Sequence, residues 1–310
     1  MTDTARQTTV NKGYTIILAG ATGDLGGRVA HYLIDKGAKI NALVRHGAKA
    51  AKVARLRELG ASVTEVDYTD KASLAAACAG GDCVVSTLSG VRDVIVDAQT
   101  ALLNAAVAAG VPRFIPSDFC IDYTRQPRGG NRNLDFRAEF AARLDKAPIK
   151  ATSILNGMFT DLLIGPAPFI LFGIKRVLYW GNADQLMDFT TIDNTAEYTA
   201  AAALDPATPR HLRIAGEVIS PRGLRRDASE VADEKYRLLR PGGLRRFRLM
   251  IKLTRFLVPG KKEVFPPWQG MQYMHDMFSG LPKLDPLDND RYPGIEWTSV
   301  AEVLQRRNNN

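Results

Sequence analysis

The feature that most constrains this chain is a short glycine-rich run, Gly20-Ala21-Thr22-Gly23-Asp24-Leu25-Gly26, set between an apolar stretch at 14–19 and a helical pattern at 25–36. A strand that feeds a helix through such a turn leaves bare main chain at the helix N-terminus, where free N–H groups and the helix dipole attract a phosphate. Glycines allow the tight turn and let a pyrophosphate approach the backbone. The expectation is therefore a dinucleotide-binding βαβ unit, with Gly20, Thr22, Gly23, Asp24, Leu25 and Gly26 around the phosphates. Asp24 is the discordant member, because a carboxylate beside phosphates repels them unless it points to solvent or caps the helix.

Downstream, β-branched runs at 39–44, 62–66, 83–88 and 113–115 alternate with Ala- and Leu-rich helical stretches. That alternation builds a parallel sheet with helices on both faces. The reading is an α/β, Rossmann-type doubly wound parallel sheet followed by a smaller C-terminal domain. Residues 1–156 make the nucleotide-binding domain, with 184–204 returning to it, and 157–183 with 205–310 make the smaller one. Within the second half, 177–193 reads as a hairpin turning at 180–184, and Asp193 or Asn194 caps an Ala-rich helix at 195–204.

Selectivity between dinucleotides is decided near the end of the second strand, where an acid commonly accepts the ribose 2′-hydroxyl. Here Lys36 to Arg57 holds no acid and seven bases. Arg45 ends the strand and can hydrogen-bond a 2′-phosphate in pairs, with Lys49 or Lys52 as a second charge. NADP(H) is the expected cofactor. Asp67 and Ser89-Gly90 end the next strands on the same side and are placed against the adenine edge and the nicotinamide ribose, although either position also suits a plain turn.

Composition excludes several other classes. Three cysteines (Cys78, Cys83, Cys120) without a CxxC pair support neither a disulfide framework nor a zinc ribbon. Four histidines lack metal-ligand spacing, so no metal site is expected. The longest apolar stretch, 162–174, is interrupted by Pro166 and Pro168 and falls short of a membrane crossing. A soluble, cytoplasmic protein is expected.

GATGDLGG, the ALVR strand end, EVDYTD, GVPRFIPSDF at 110–119 and MDFTTIDNTAEYTAAAALD at 187–205 together resemble the NmrA-like group of atypical short-chain dehydrogenase/reductases, which includes isoflavone reductase-like enzymes. The likeness covers about residues 14–240. It implies a Rossmann domain holding NADP(H) and a smaller C-terminal substrate-cleft domain, with the Pro116-Ser117-Asp118-Phe119 segment beside the nicotinamide, so Ser117 and Phe119 join the cofactor set. It also places Asn156, Met158 and Phe159 on the substrate side. The family's catalytic lysine has no counterpart, since its position falls near Phe136 or Arg137 and no lysine occurs between Lys71 and Lys146. A guanidinium can stabilise developing negative charge but cannot usefully give up its proton. Arg137 and Tyr123 are accordingly the catalytic candidates, with Tyr123 as the proton source.

Three functional classes follow: a reductase moving hydride from NADPH to a small conjugated or aromatic substrate, a non-catalytic NADP(H)-sensing regulator with a protein partner, or a basic surface-binding module that keeps the dinucleotide fold only as scaffold. Phe169, Trp180 and Trp268 are further candidates for the pocket lining. The net charge of +8 is regional, with 13 Lys or Arg against four acids in 222–262. Residues 244–258 read as an amphipathic helix with Arg245, Arg248, Lys252 and Arg255 on one side, packed on the core by the other. Contact with a membrane surface is open, and nucleic acid is disfavoured because aromatics are not interleaved.

Overall fold

A computed structural model describes residues 13–165 and 167–308. The first half runs β1 (Thr15–Ala19), α1 (Asp24–Asp35), β2 (Lys39–Arg45), α2 (Ala50–Glu58), β3 (Ser62–Val66), α3 (Lys71–Cys78), β4 (Cys83–Ser86), α4 (Gln99–Ala108), β5 (Arg113–Ile115), α5 (Arg132–Leu144) and β6 (Lys150–Ala151). The six strands pair in parallel in the order β3-β2-β1-β4-β5-β6. Strand β1 shows why its sequence is continuously apolar. Alternate side chains enter different cores, with Ile16 and Leu18 on the face packed by α1 and Ile17 and Ala19 on the face packed by α3 and α4. Strand order reverses between β1 and β4, so their carboxyl ends open a crevice of the kind that binds ligands in open α/β sheets.

Strand β7 (Ser153–Leu155) continues the β6 edge, while β8 (Met158–Phe159), β9 (Ile170–Leu171), β10 (Arg176–Leu178) and β11 (Met187–Thr190) lead to α6 (Ile192–Leu204). Helix α6 lies against α1. Asp193 accepts hydrogen bonds from Arg28 Nη1 (3.1 Å) and Tyr32 Oη (2.7 Å), and the buried Arg113 of β5 donates to the last carbonyls of α6 at Ala203 (2.7 Å) and Ala202 (2.8 Å). Thr191, not Asp193 or Asn194, caps α6, its hydroxyl accepting from Asn194 N. Then follow β12 (His211–Arg213), parallel to β7, β13 (Glu217–Ile219), α7 (Pro221–Ala232), β14 (Arg237–Leu239), α8 (Leu244–Leu257), α9 (Pro267–Ser279) and α10 (Val300–Asn308).

The hairpin expected over 177–193 does not form. Strand β10 joins β14 and β9, whereas β11 joins β13 and β8, so the two run into different sheets. The intervening turn chemistry is present, with Asn182 Oδ1 accepting from Asp184 N at 3.0 Å. Trp180 overrides it: the indole is buried and stacks on Phe247 of α8 with ring centroids 4.5 Å apart, which ties the crossover to the core. The helical stretch between β4 and β5 opens as a π-helical turn, Asp93–Ala98, before it becomes α4. That turn brings the fully buried Gln99 inward, where Nε2 donates to Ile95 O and Oε1 accepts from Ser117 N.

Candidate dinucleotide and substrate site

The glycine loop is shaped by contact between β1 and β4. Gly20 has a φ of +85°, and a Cβ there would lie 2.7 Å from the Thr87 backbone; a Cβ on Gly26 would lie 2.3 Å from Gly20 O. Thr87, just beyond β4, donates from both N (2.8 Å) and Oγ1 (2.9 Å) to Ala19 O and so fixes this close crossing. Gly23 is the N-cap of α1 and has no side-chain cap, which leaves the first-turn N–H groups turned toward the crevice as an anion-binding end. Asp24 does not spoil it. The carboxylate is exposed and accepts from Arg28 Nε at 2.9 Å, one helical turn along, and so lies along the helix surface.

The basic end of β2 flanks this loop. Arg45 is exposed at the strand's carboxyl end, its guanidinium without a hydrogen bond among the described residues. Its positive charge acts on the neighbouring Tyr68, whose phenol burial nonetheless pushes up to about 12. Lys49 is the exposed N-cap residue of α2, while Lys52, one turn on, donates from Nζ to Thr22 O at 2.7 Å and steadies the glycine loop. Asp67 accepts from Thr69 N and Oγ1, both at 2.8 Å, and these bonds hold its carboxyl below the usual range; it forms a turn at the crevice rim. Ser89 is exposed at the same rim, and Gly90 allows the chain to pass Val94, whose Cβ would be 2.4 Å from an added Cβ.

Across the crevice, Ser117 is locked between elements, its N bonded to Gln99 and its Oγ donating to Leu88 O at 2.7 Å. Phe119 is buried in the core shared with α1 and α6. Asn156 is fully buried: its N donates to Cys120 O, its O accepts from Thr190 Oγ1 at 2.7 Å, and its Oδ1 has no partner among the described residues. Met158 and Phe159 beyond it are half-buried, whereas Phe169, Trp180 and Trp268 are core side chains. Cys120 is buried and its thiol is pushed up to about 12, chiefly by burial, so it is not a nucleophile.

The two catalytic candidates converge on one cluster in different states. Tyr123 is buried and donates to Asp118 Oδ2 at 2.8 Å; burial first, then the Asp118 carboxylate, raise its phenol far above the ordinary value. The same carboxylate oxygen accepts from Ser153 Oγ at 2.7 Å. Arg137 on α5 donates to Asn133 O at 3.2 Å, and its Nε is buried without a partner among the described residues. Burial opposes its charge, but Tyr273, Cys120, Asp118 and Tyr123 outweigh that and raise the guanidinium above its ordinary value. Tyr273, half-buried on α9, is the residue that sequence reasoning missed. Its hydroxyl has no hydrogen-bond partner among the described residues, and Arg137 and Cys120 lie close enough to act on its charge. No pattern in 267–279 marks it, since its place beside Arg137 exists only once α9 packs near α5. Among the described residues no group of three His, Cys, Asp or Glu can hold a metal ion, and no helix is long and apolar enough to cross a membrane.

A parallel sheet in the order 3-2-1-4-5-6, with a glycine turn leading from its first strand into an uncapped helix, defines a Rossmann-type dinucleotide-binding fold. The chain belongs to the NmrA-like family, whose model matches residues 12–236. It is 29% identical over 207 residues to pinoresinol reductase 1 of Arabidopsis thaliana, a match covering 62% of this chain and 65% of that relative, just under two thirds of its length. Among solved structures it is similar to AtPrR2 with NADP+ and (+)pinoresinol (TM-score 0.79, 23% identity, 95% of this chain and 98% of that one). It is also similar to the binary complex of leucoanthocyanidin reductase and NADPH from Vitis vinifera (TM-score 0.80, 18% identity, 96% and 100%). These two likenesses bear on the fold.

Proposed function

We propose that the protein is an NADPH-dependent reductase acting on a small conjugated or aromatic molecule held between the Rossmann sheet and the segments after Asn156. The observation that carries this reading is the pairing of an uncapped, glycine-lined helix N-terminus with an acid-free, basic strand end at Arg45. The first accepts a pyrophosphate and the second a 2′-phosphate. The names of its relatives, pinoresinol reductases among them, support an aromatic lignan-like substrate.

NADPH supplies the hydride, and the protein supplies position and charge. Lys52 steadies the loop that would receive the phosphates, and the Ser117 backbone, pinned by Gln99, would form part of the wall at the nicotinamide end. Arg137 provides a fixed positive charge toward a substrate oxygen that becomes negative as hydride arrives. Because a guanidinium keeps its proton and the Tyr123 proton is committed to Asp118, Tyr273 takes the part of proton donor. The missing lysine favours a regulator, and the Arg137–Tyr273 pair offers a replacement for that group.

The test is stoichiometric oxidation of NADPH in the presence of pinoresinol or a related benzylic ether or enone. Tyr273→Phe is expected to lower kcat about 10²-fold while leaving NADPH affinity unchanged. Absence of NADPH binding overturns the whole reading; full turnover by Tyr273→Phe overturns only the assignment of the donor.

A further inference from the structure

Helix α8 is apolar on two opposite faces. Phe247 and Ile251 are buried, and Phe247 stacks on Trp180, which satisfies the face turned to the core. On the far side Leu249, Leu253, Phe256 and Leu257, spaced i, i+4, i+7 and i+8, are 68%, 57%, 82% and 66% exposed. That spacing forms one continuous stripe along a helix of about 20 Å. Arg245, Arg248, Lys252 and Arg255 occupy the flank between stripe and core, and Arg255 lies over the Trp268 ring at 5.0 Å. From Lys235 to Lys262 the chain carries ten Lys or Arg and no acid. The sequence anticipated the core-facing side and the basic flank; the structure adds an outward apolar stripe that core packing does not explain.

We propose that α8 docks this protein on an anionic phospholipid bilayer, lying in the interface plane with Leu249, Leu253, Phe256 and Leu257 among the acyl chains and the flanking cations at the headgroups. An apolar stripe bordered by cations is the pattern that binds in this way, because burial of the stripe and attraction of the cations act together. The occupant follows from charge and shape. A second copy of this chain would bring an equally cationic, acid-free face against the first. A nucleic acid satisfies the cations but leaves four large apolar side chains in water. Phe256, at 82% exposed, stands out from the helix rather than lining a groove, so a flat lipid surface receives it more readily than a grooved protein does. A reductase of aromatic, poorly water-soluble molecules gains access to them at such a surface.

The experiment is co-sedimentation of the full-length protein with phosphatidylcholine vesicles containing either none or about 30% phosphatidylserine. Binding is expected only to the anionic vesicles and is expected to weaken at least about tenfold between low and high salt. The double variant Leu253→Asp/Phe256→Asp, which changes exposed positions only, is expected to bind at least about tenfold more weakly with an unchanged melting temperature and unchanged NADPH affinity. Arg248→Glu/Lys252→Glu is expected to do the same. The proposal fails if the wild type ignores anionic vesicles, or if the apolar double variant binds them as well as wild type. It also fails if light scattering shows a dimer that the double variant dissolves, or if duplex DNA displaces the protein from the vesicles.

Discussion

Replacing Arg45 with Asp reverses the charge at the point where the two dinucleotides differ, and its effect can be worked from the geometry of the β2 end. Hydrogen bonds from a guanidinium to a phosphate contribute about 1.5–3 kcal/mol each in sheltered sites. Arg45 is exposed, so solvent screening reduces its total to about 2 kcal/mol. A carboxylate in its place adds repulsion of about 1 kcal/mol per pair of unit charges at ion-pair separation in water, hence about 2 kcal/mol against a phosphate carrying nearly two charges. Together these weaken NADPH by about 4 kcal/mol, close to a thousandfold in Kd. NADH gains a hydrogen bond from its ribose hydroxyl to the new carboxylate, about 1 kcal/mol or fivefold. Calorimetric or fluorescence titration of both dinucleotides measures the ratio. Because the Arg45 guanidinium makes no hydrogen bond among the described residues, the melting temperature is expected to stay within a degree or two, about 0.5 kcal/mol. The change in preference is expected to shrink as salt is raised, as the screening of an exposed pair requires. An unchanged NADPH-to-NADH ratio in a folded Arg45→Asp protein refutes the placement of the 2′-phosphate.

Three further outcomes are expected. Gly26→Ala puts a methyl 2.3 Å from Gly20 O and 2.5 Å from Thr87 Oγ1, against backbone that cannot yield, so stability falls by about 2–3 kcal/mol in chemical denaturation and NADPH affinity falls with it. Arg113→Met strips Ala202 O, Ala203 O and Thr208 Oγ1 of a buried donor and loosens α6 from β5; a loss of about 3 kcal/mol is expected, and one under about 0.5 kcal/mol would mean that the C-terminal end of α6 is held by packing alone. Burial, then Arg210 and Arg213, lower the His211 pKa, so the unfolded chain binds the proton more readily than the folded one. Stability is therefore expected to be full above the unfolded value of about 6.5 and to decline as pH falls through it toward the folded pKa. The wild-type slope between about pH 6.5 and 5 should be flatter in His211→Gln, and parallel curves would count against the assignment.

The parts legible in the sequence are those whose physics is local. The β1–glycine–α1 unit is encoded within a dozen consecutive residues, and the absence of acids from Lys36 to Arg57 needs no tertiary information. Thr87 was not legible, because its hydroxyl matters only after β4 has come to lie beside β1 and its two donors meet Ala19 O. The failed hairpin has the same origin. The Asn182 turn is a local signal and is present, but the burial of Trp180 against Phe247 of a later helix decides where the two strands go. Gln99 likewise reads as an ordinary surface helix residue until a π-helical turn carries it into the core against Ser117.

We place Arg137 where the family carries its lysine, and that exchange has a consequence beyond one side chain. A lysine can combine cation and proton source, whereas Arg137 can be only the cation, so the two duties must separate. Tyr123 is the near neighbour in sequence, but its hydroxyl donates to Asp118 Oδ2, which also accepts from Ser153 Oγ, and burial holds its proton firmly. Tyr273 comes from the far end of the chain with a free hydroxyl, and although burial raises it, the Arg137 charge pulls in the opposite direction. On the proposed reading the guanidinium stabilises negative charge on a substrate oxygen, and it offsets part of the rise that burial imposes on the Tyr273 phenol, which stays above its ordinary value. Helix α9 then contributes to the proposed reaction centre, although it lies beyond residue 236, where the family match ends. On this proposed reading the glycine loop assigned to the cofactor lies inside the residues that the family model matches, and the assigned proton donor lies outside them.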